Sequence, residues 1–151
     1  MSMDLTGIKP KNDKGKSFSN NVWRWRPLWE YCFVVKAINA QSANKGAFND
    51  GNKITERQTI NIVKILKEEI KSGRTKEYEI KRNKFLSELP LVKCEVCNGT
   101  GKRKIEGKVI TCNGCEGKGI VKDFSTWYQF DVQNVKNFIE FCENSGGFTI
   151  W

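Results

Sequence analysis

Cys94-Glu-Val-Cys97-Asn-Gly99-Thr-Gly101 and Cys112-Asn-Gly-Cys115-Glu-Gly117-Lys-Gly119 are two copies of one pattern, Cys-x-x-Cys-x-Gly-x-Gly. Two intervening residues let both sulfurs of a pair approach one ion at about 2.3 Å, and two pairs complete a tetrahedron. The spacing therefore predicts one structural zinc ion held by Cys94, Cys97, Cys112 and Cys115. After each second cysteine the chain must turn sharply so that its amides can donate to the thiolates. Glycine tolerates the positive φ that such a turn requires. Four protein ligands leave no position for water, so this metal organises the chain and does no Lewis-acid chemistry. Iron suits the same ligands. Two disulfides are the other reading of four cysteines, but they need an oxidising compartment, and nothing in the sequence points to export. Cys32 and Cys142 fall on apolar helical faces and read as buried thiols.

Other catalytic chemistry finds little material. The chain has no histidine, which removes Ser-His-Asp triads, Cys-His pairs and His-ligated metals. Glu30, Asp50 and Asp131 are candidate carboxylates for acid–base work, but no nucleophile, phosphate loop or open metal site accompanies them. The reading is non-enzymatic.

Charge points to partners. Twenty-six Lys and Arg against seventeen Asp and Glu leave a net +9, which favours polyanions or simply keeps a small protein in solution. The excess is local. Residues 93–122 hold seven basic and three acidic side chains, whereas residues 123–151 hold one Lys and four acids. Lys102, Arg103, Lys104, Lys108, Lys118 and Lys122 are the candidate phosphate contacts, with Arg24, Trp25 and Arg26 as a second patch combining charge and stacking. Two alternatives stand beside this: the tryptophans serve the core, and the basic residues near the cysteines offset the −2 charge of a zinc tetrathiolate.

The elements that must position these residues follow from periodicity. Residues 1–19, polar and rich in Lys, Gly and Asn, read as a loose arm, leaving 20–151 as one globular domain with a metal-binding sub-module at 92–122. Trp23-Arg-Trp-Arg26 alternates as a short strand does, and a first helix is expected from Pro27 to Asn39, with a loop following. Thr55-Glu-Arg-Gln58 fits a capping box, and Thr59, Ile62, Val63, Leu66 and Ile70 form the stripe behind it, ended by Ser72-Gly73. Tyr78, Phe85, Leu86 and Leu89 suggest a third helix, paired antiparallel with the second and stopped by Pro90. Ile105-Glu-Gly-Lys108 can close a hairpin between the cysteine pairs, although Glu-Gly is a weaker turn than Asn-Gly. Residues 127–132 alternate as a strand, Asp131 can cap a last helix, and Phe148–Trp151 is β-prone. The fold class expected is α+β: three or four helices around one core, a projecting zinc-pinned hairpin and a short C-terminal strand.

Two resemblances add to this. The doubled cysteine motif resembles the zinc-finger region of DnaJ-type co-chaperones, which has four such motifs and two zincs. The His-Pro-Asp of a J-domain is impossible here, so the likeness implies metal chemistry and not co-chaperone activity. Asn20-Asn-Val-Trp-Arg-Trp-Arg-Pro-Leu-Trp29, Phe48-Asn-Asp-Gly51, Ser72-Gly-Arg-Thr75, Trp127-Tyr-Gln-Phe-Asp-Val-Gln-Asn-Val135 and Ser145-Gly-Gly-Phe-Thr-Ile-Trp151 look like a family of small phage and prophage proteins with no assigned activity. Arg24 stands where that family is expected to carry Trp. The resemblance implies phage provenance and no mechanism; together with the basic excess, that provenance gives the expectation of a protein that acts in the host cytoplasm by binding a nucleic acid or nucleoprotein, as an anti-CRISPR-type inhibitor of defence would. A protein–protein adaptor without a nucleic-acid role is the alternative. No apolar run approaches the ~20 residues of a membrane span, and no signal peptide is read.

Overall fold

The computed structural model describes all 151 residues. In chain order the elements are β1 (Ser2–Gly7), β2 (Ser17–Asn21), α1 (Val22–Val34), α2 (Ala40–Lys45), β3 (Asn52–Ile54), α3 (Glu56–Lys71), α4 (Arg74–Ser87), β4 (Val92–Lys93), β5 (Lys102–Ile105), β6 (Lys108–Thr111), β7 (Ile120–Val121), α5 (Val132–Ser145) and β8 (Phe148–Ile150). The α+β class is as expected, with five helices rather than three or four. None of them is long and apolar enough to cross a membrane. The chain forms two compact units, residues 1–83 with 128–151, and residues 84–127. The second is wider than the expected 92–122.

The first unit contains a four-stranded antiparallel sheet in the order β2-β1-β8-β3. Residues 1–19 are therefore not an arm. Ser2-Met-Asp-Leu-Thr alternates polar and apolar, and Met3 and Leu5 are both 1% exposed on the face that meets the helices. With only two apolar residues, this stretch carries too little period-2 signal to be recognised until its partners are known. The C-terminal strand β8 is interior, pairing Leu5 with Ile150 on one side and Ile54 with Phe148 on the other.

The stretch Trp23–Arg26 is helix, not strand. Asn21 caps α1 by accepting the Arg24 amide at 3.0 Å. Trp25, Leu28, Trp29 and Cys32 then recur at i, i+3, i+4 and i+7 on one buried face. This longer 3.6-residue period overrides four residues of alternation. Pro27 lies within the helix. The helix stops five residues before Asn39, because Lys36 turns left-handed at φ 61°. Its amide donates to the Phe33 carbonyl at 2.9 Å, and that of Ala37 donates to Cys32 at 2.8 Å, the paired bonds of a Schellman ending. A left-handed conformation costs a non-glycine residue about 1–2 kcal/mol. Lys36→Gly is expected to raise stability in urea denaturation by about 0.5–1 kcal/mol, part of the gain being offset by the freer unfolded chain. A fall would mean that the Lys36 side chain contributes more than its backbone costs.

The capping box at Thr55 and Gln58 forms as expected, with the Thr55 amide donating to Gln58 Oε1 at 2.8 Å. Thr59, Ile62 and Leu66 are buried behind it. The principal packing partner of α3 is α5, not α4 as the expected hairpin required. α4 instead turns Tyr78 toward Tyr31 and Phe130, with ring centroids 4.7 and 4.8 Å apart. It also holds the segment that the alternation at 127–132 marked as a strand. Asn83 brackets Phe130, accepting its amide and donating to its carbonyl, both at 2.9 Å, and Glu79 accepts the Val132 amide at 2.9 Å. Side chains take the place of a neighbouring strand, and the segment joins no sheet: Trp127 ends a 3-10 turn and Val132 already begins α5. The loop expected after α1 contains both α2 and β3.

The core is largely aromatic. Trp25 and Trp29 stack at 5.0 Å, and Phe138 from α5 meets both rings edge-on. Each indole finds a backbone acceptor, Trp25 on the Gly46 carbonyl at 2.7 Å and Trp29 on that of Ser42 at 3.2 Å. Cys32 and Cys142 are buried here as free thiols. Burial pushes the Cys32 thiol up to about 12, and Cys142 also rises for the same reason, so neither is reactive.

Candidate metal centre

In the second unit each cysteine pair sits on a tight turn whose backbone repeats almost angle for angle. Asn98 and Glu116 are left-handed at φ 53°, Gly99 and Gly117 follow at 80° and 82°, and Gly101 and Gly119 at 72° and 75°. The hydrogen bonds repeat as well. Gly99 N–H donates to the Cys94 carbonyl at 3.0 Å, and Gly117 N–H to that of Cys112 at 3.1 Å. The two turns also cross-link, Cys94 N–H to the Gly119 carbonyl and Cys112 N–H to the Gly101 carbonyl, both at 2.9 Å. The repeat in the sequence thus becomes a local pseudo-twofold.

That symmetry explains the second glycine of each motif. A Cβ at Gly101 would lie 2.3 Å from the Gly117 carbonyl oxygen, and one at Gly119 would lie 2.4 Å from that of Gly99. Each fills the space beside the other turn's first glycine, so close approach as well as φ excludes a side chain. Glu116 occupies the left-handed position that Asn98 takes with less strain in the other copy.

The four sulfurs meet in one cluster. All lie within 4.8 Å of one another, with Cys97 and Cys115 at 3.7 Å and Cys94 and Cys112 at 4.0 Å. Metal–sulfur bonds of ~2.3 Å in a tetrahedron give an edge of ~3.8 Å, so the cluster fits one four-coordinate ion. These separations are nearly twice the ~2.05 Å of a disulfide, and the four thiols are free. Two backbone donors point at the cluster, Gly101 N–H to Cys97 Sγ at 3.2 Å and Gly119 N–H to Cys115 Sγ at 3.1 Å. Both belong to the second turn-glycines, which are therefore part of the electrostatics of the site. Burial pushes the Cys94 thiol up to about 11. Burial acts in the same sense on Cys97, but there the Gly101 amide and the neighbouring thiols prevail and hold it down to about 6. Cys97 is thus ready as thiolate near neutrality, and an arriving cation must displace the proton of Cys94.

The remaining predicted residues separate into distinct settings. The hairpin forms, β5 against β6 with Lys102 opposite Thr111 and Ile105 opposite Lys108. Its turn is Glu106-Gly107, with φ 49° and 79°, both positive as a type I′ turn demands. Lys102, Lys104 and Lys108 are exposed, and Arg103, half-buried, reaches Asn113 Oδ1 at 2.9 Å. Lys118 lies 4.0 Å from Glu116, and Lys122 is exposed just beyond β7.

The second patch does not assemble as expected. Trp25 is fully buried in the first unit and presents no face to a ligand, because it belongs to the i, i+3, i+4, i+7 stripe of α1. Arg24 pairs with Asp131 at 2.5 Å, so its charge is met locally rather than added to a ridge. Arg26 donates to Tyr128 Oη at 3.0 Å, with its guanidinium 5.9 Å from the centre of that ring. The sequence reading passed over an open apolar groove of the second unit, lined in part by Leu91, Val96, Ile120, Phe124 and Trp127. Those side chains are scattered through short segments without periodicity. Comparison of the chain with family models, with curated proteins and with solved structures finds no match.

Proposed function

We propose that this chain is a non-catalytic binding protein in which one zinc ion holds a basic β-hairpin for contact with a nucleic acid or nucleoprotein. The observation that carries the reading is the state of the hairpin cations. Lys102, Arg103, Lys104 and Lys108 stand together on one ribbon and meet no carboxylate, whereas eight of the eighteen Lys and Arg of the first unit, among them Arg24, Arg74 and Arg82, pair with one and the other ten are spread over many elements. Lys102, Lys104 and Lys108, exposed and without a carboxylate, are available to a phosphate, and Arg103 can exchange its bond to Asn113 for one. The second unit as a whole has eight basic and five acidic residues, and a zinc tetrathiolate adds −2. Its general field is therefore weak, and attraction is concentrated on the ribbon. Zinc is the metal favoured for a closed four-thiolate site with a purely structural role.

The candidate carboxylates support the non-catalytic reading. Glu30 pairs with Arg82 at 3.1 Å, Asp131 pairs with Arg24 and caps α5, and Asp50 is exposed in the turn before β3. The resemblance to small phage proteins makes host defence nucleoproteins, including RNA-guided ones, the first targets to try. A protein–protein adaptor is the second reading, favoured by the exposed apolar side chains around Leu91, Val96 and Ile120. Affinity capture from host lysate separates the two. Nucleic acid is expected to co-purify with the wild type and to be lost from the variant with Gln at 102, 103, 104 and 108. A single protein retained equally by both proteins after nuclease treatment would replace this reading with the adaptor.

A further inference from the structure

The hairpin register specifies which form of nucleic acid the ribbon suits. Residues opposite each other across β5 and β6 share a face, and successive residues alternate. Lys102 and Lys104 therefore stand on one face with Val109 and Thr111, while Arg103 and Lys108 stand on the other with Ile105 and Ile110. Each face carries two cations, and every β6 side chain is exposed. No aromatic residue occurs between Lys102 and Thr111.

Resting on the reading above, we infer that the ribbon binds duplex DNA by entering the major groove, one face toward each phosphate backbone. Proteins that hold single strands combine one track of cations with aromatic rings on which bases stack. The hairpin has no ring, and its cations form two tracks facing opposite ways. A single strand can follow only one of them. Two backbones on either side of a groove engage both. The dimensions agree: the B-form major groove is ~12 Å wide and admits a two-stranded ribbon. The deep, narrow major groove of A-form RNA does not. Glu106, the one acid of the ribbon, lies at its tip, away from the phosphate walls. The positive φ values of the turn give the hairpin the twist of the type I′ class, so no rearrangement is needed before entry.

The test uses full-length, metal-loaded protein and fluorescence anisotropy with a DNA duplex, one of its single strands, and the RNA duplex of the same sequence. Four phosphate contacts give a slope of about −3.6 in log affinity against log salt, a fall of at least ~150-fold between about 50 and 200 mM. The double variants Lys102→Gln/Lys104→Gln and Arg103→Gln/Lys108→Gln are each expected to reduce that fall to ~12-fold. One metal per chain in both variants shows that the fold is retained. If one pair matters and the other does not, or if the single strand or RNA duplex binds as tightly as the DNA duplex, groove entry is wrong while nucleic-acid binding stands. If no probe binds with a salt-dependent affinity, the functional reading fails with it.

Discussion

Metal removal is expected to unfold residues 84–127 while the aromatic core of the first unit remains packed. The only buried cluster in the second unit is Cys94, Cys97, Cys112 and Cys115, with Val121 packed against it. Apart from Leu86, buried in the last turn of α4, its larger apolar side chains are mostly exposed, Leu91, Val96, Val109, Ile110 and Ile120 by 43–67%. Two two-stranded ladders and a run of glycines cannot offset their ordering entropy without a core. A metal ion bound by the four cysteines would supply what is missing, since apparent binding energies for structural zinc are roughly 10–16 kcal/mol. A strong chelator, or Cys97→Ser, is expected to abolish amide protection at Gly101 and Gly119, whose N–H groups point at sulfur. Protection in α5 and β8 is expected to persist. Acid acts in the same direction. The Cys97 thiol is held down to about 6, below the ordinary thiol value, so its stabilising contribution is present above that value and is lost as pH falls through it. Metal release is therefore expected on acidification, as the ligands take up protons. A protein whose exchange pattern is unchanged by chelation would overturn the account of this unit.

Trp25→Ala is expected to cost the first unit at least 3–5 kcal/mol, a large part of the ~5–15 kcal/mol that holds most domains together. The ring is fully buried, stacked on Trp29 and set edge-on to Phe138, so truncation opens a cavity between α1 and α5. It also removes the indole donor of the Gly46 carbonyl, adding about 1–3 kcal/mol if that oxygen is left unsatisfied. Trp25→Phe keeps a ring and loses the donor, so it should fall between alanine and wild type. Urea denaturation followed by far-ultraviolet circular dichroism measures all three. A cost below about 1 kcal/mol for alanine would mean that Trp25 is not in the core.

Both expectations depend on how far a local pattern reaches. The metal centre was legible because its whole specification lies in two eight-residue stretches and the ten residues between them: ligand spacing, turn glycines and hairpin are all local. The capping box at Thr55 and the stripe of α3 were legible for the same reason, since a helix closes its hydrogen bonds within itself. Trp23-Arg-Trp-Arg26 misled because four residues of alternation were given precedence over a stripe running on to Cys32. Residues 127–132 misled because a strand exists only if a neighbour does. Here the neighbour is α4, offering Asn83 and Glu79 instead of a β-ladder.

What the sequence determined alone was the chemistry: four thiolates at metal-binding spacing, no histidine, and a concentration of cations between the cysteine pairs. Tertiary structure decided which of those groups remain available. It placed Trp25 inside and paired Arg24 with Asp131 while leaving the hairpin cations without carboxylates. It also recruited the N-terminal residues into a sheet whose central strand lies more than 140 residues away in sequence. Spacing along a chain constrains only what is near in that chain. Burial, charge pairing and strand order depend on residues brought together from opposite ends, and these become visible only once the backbone has closed.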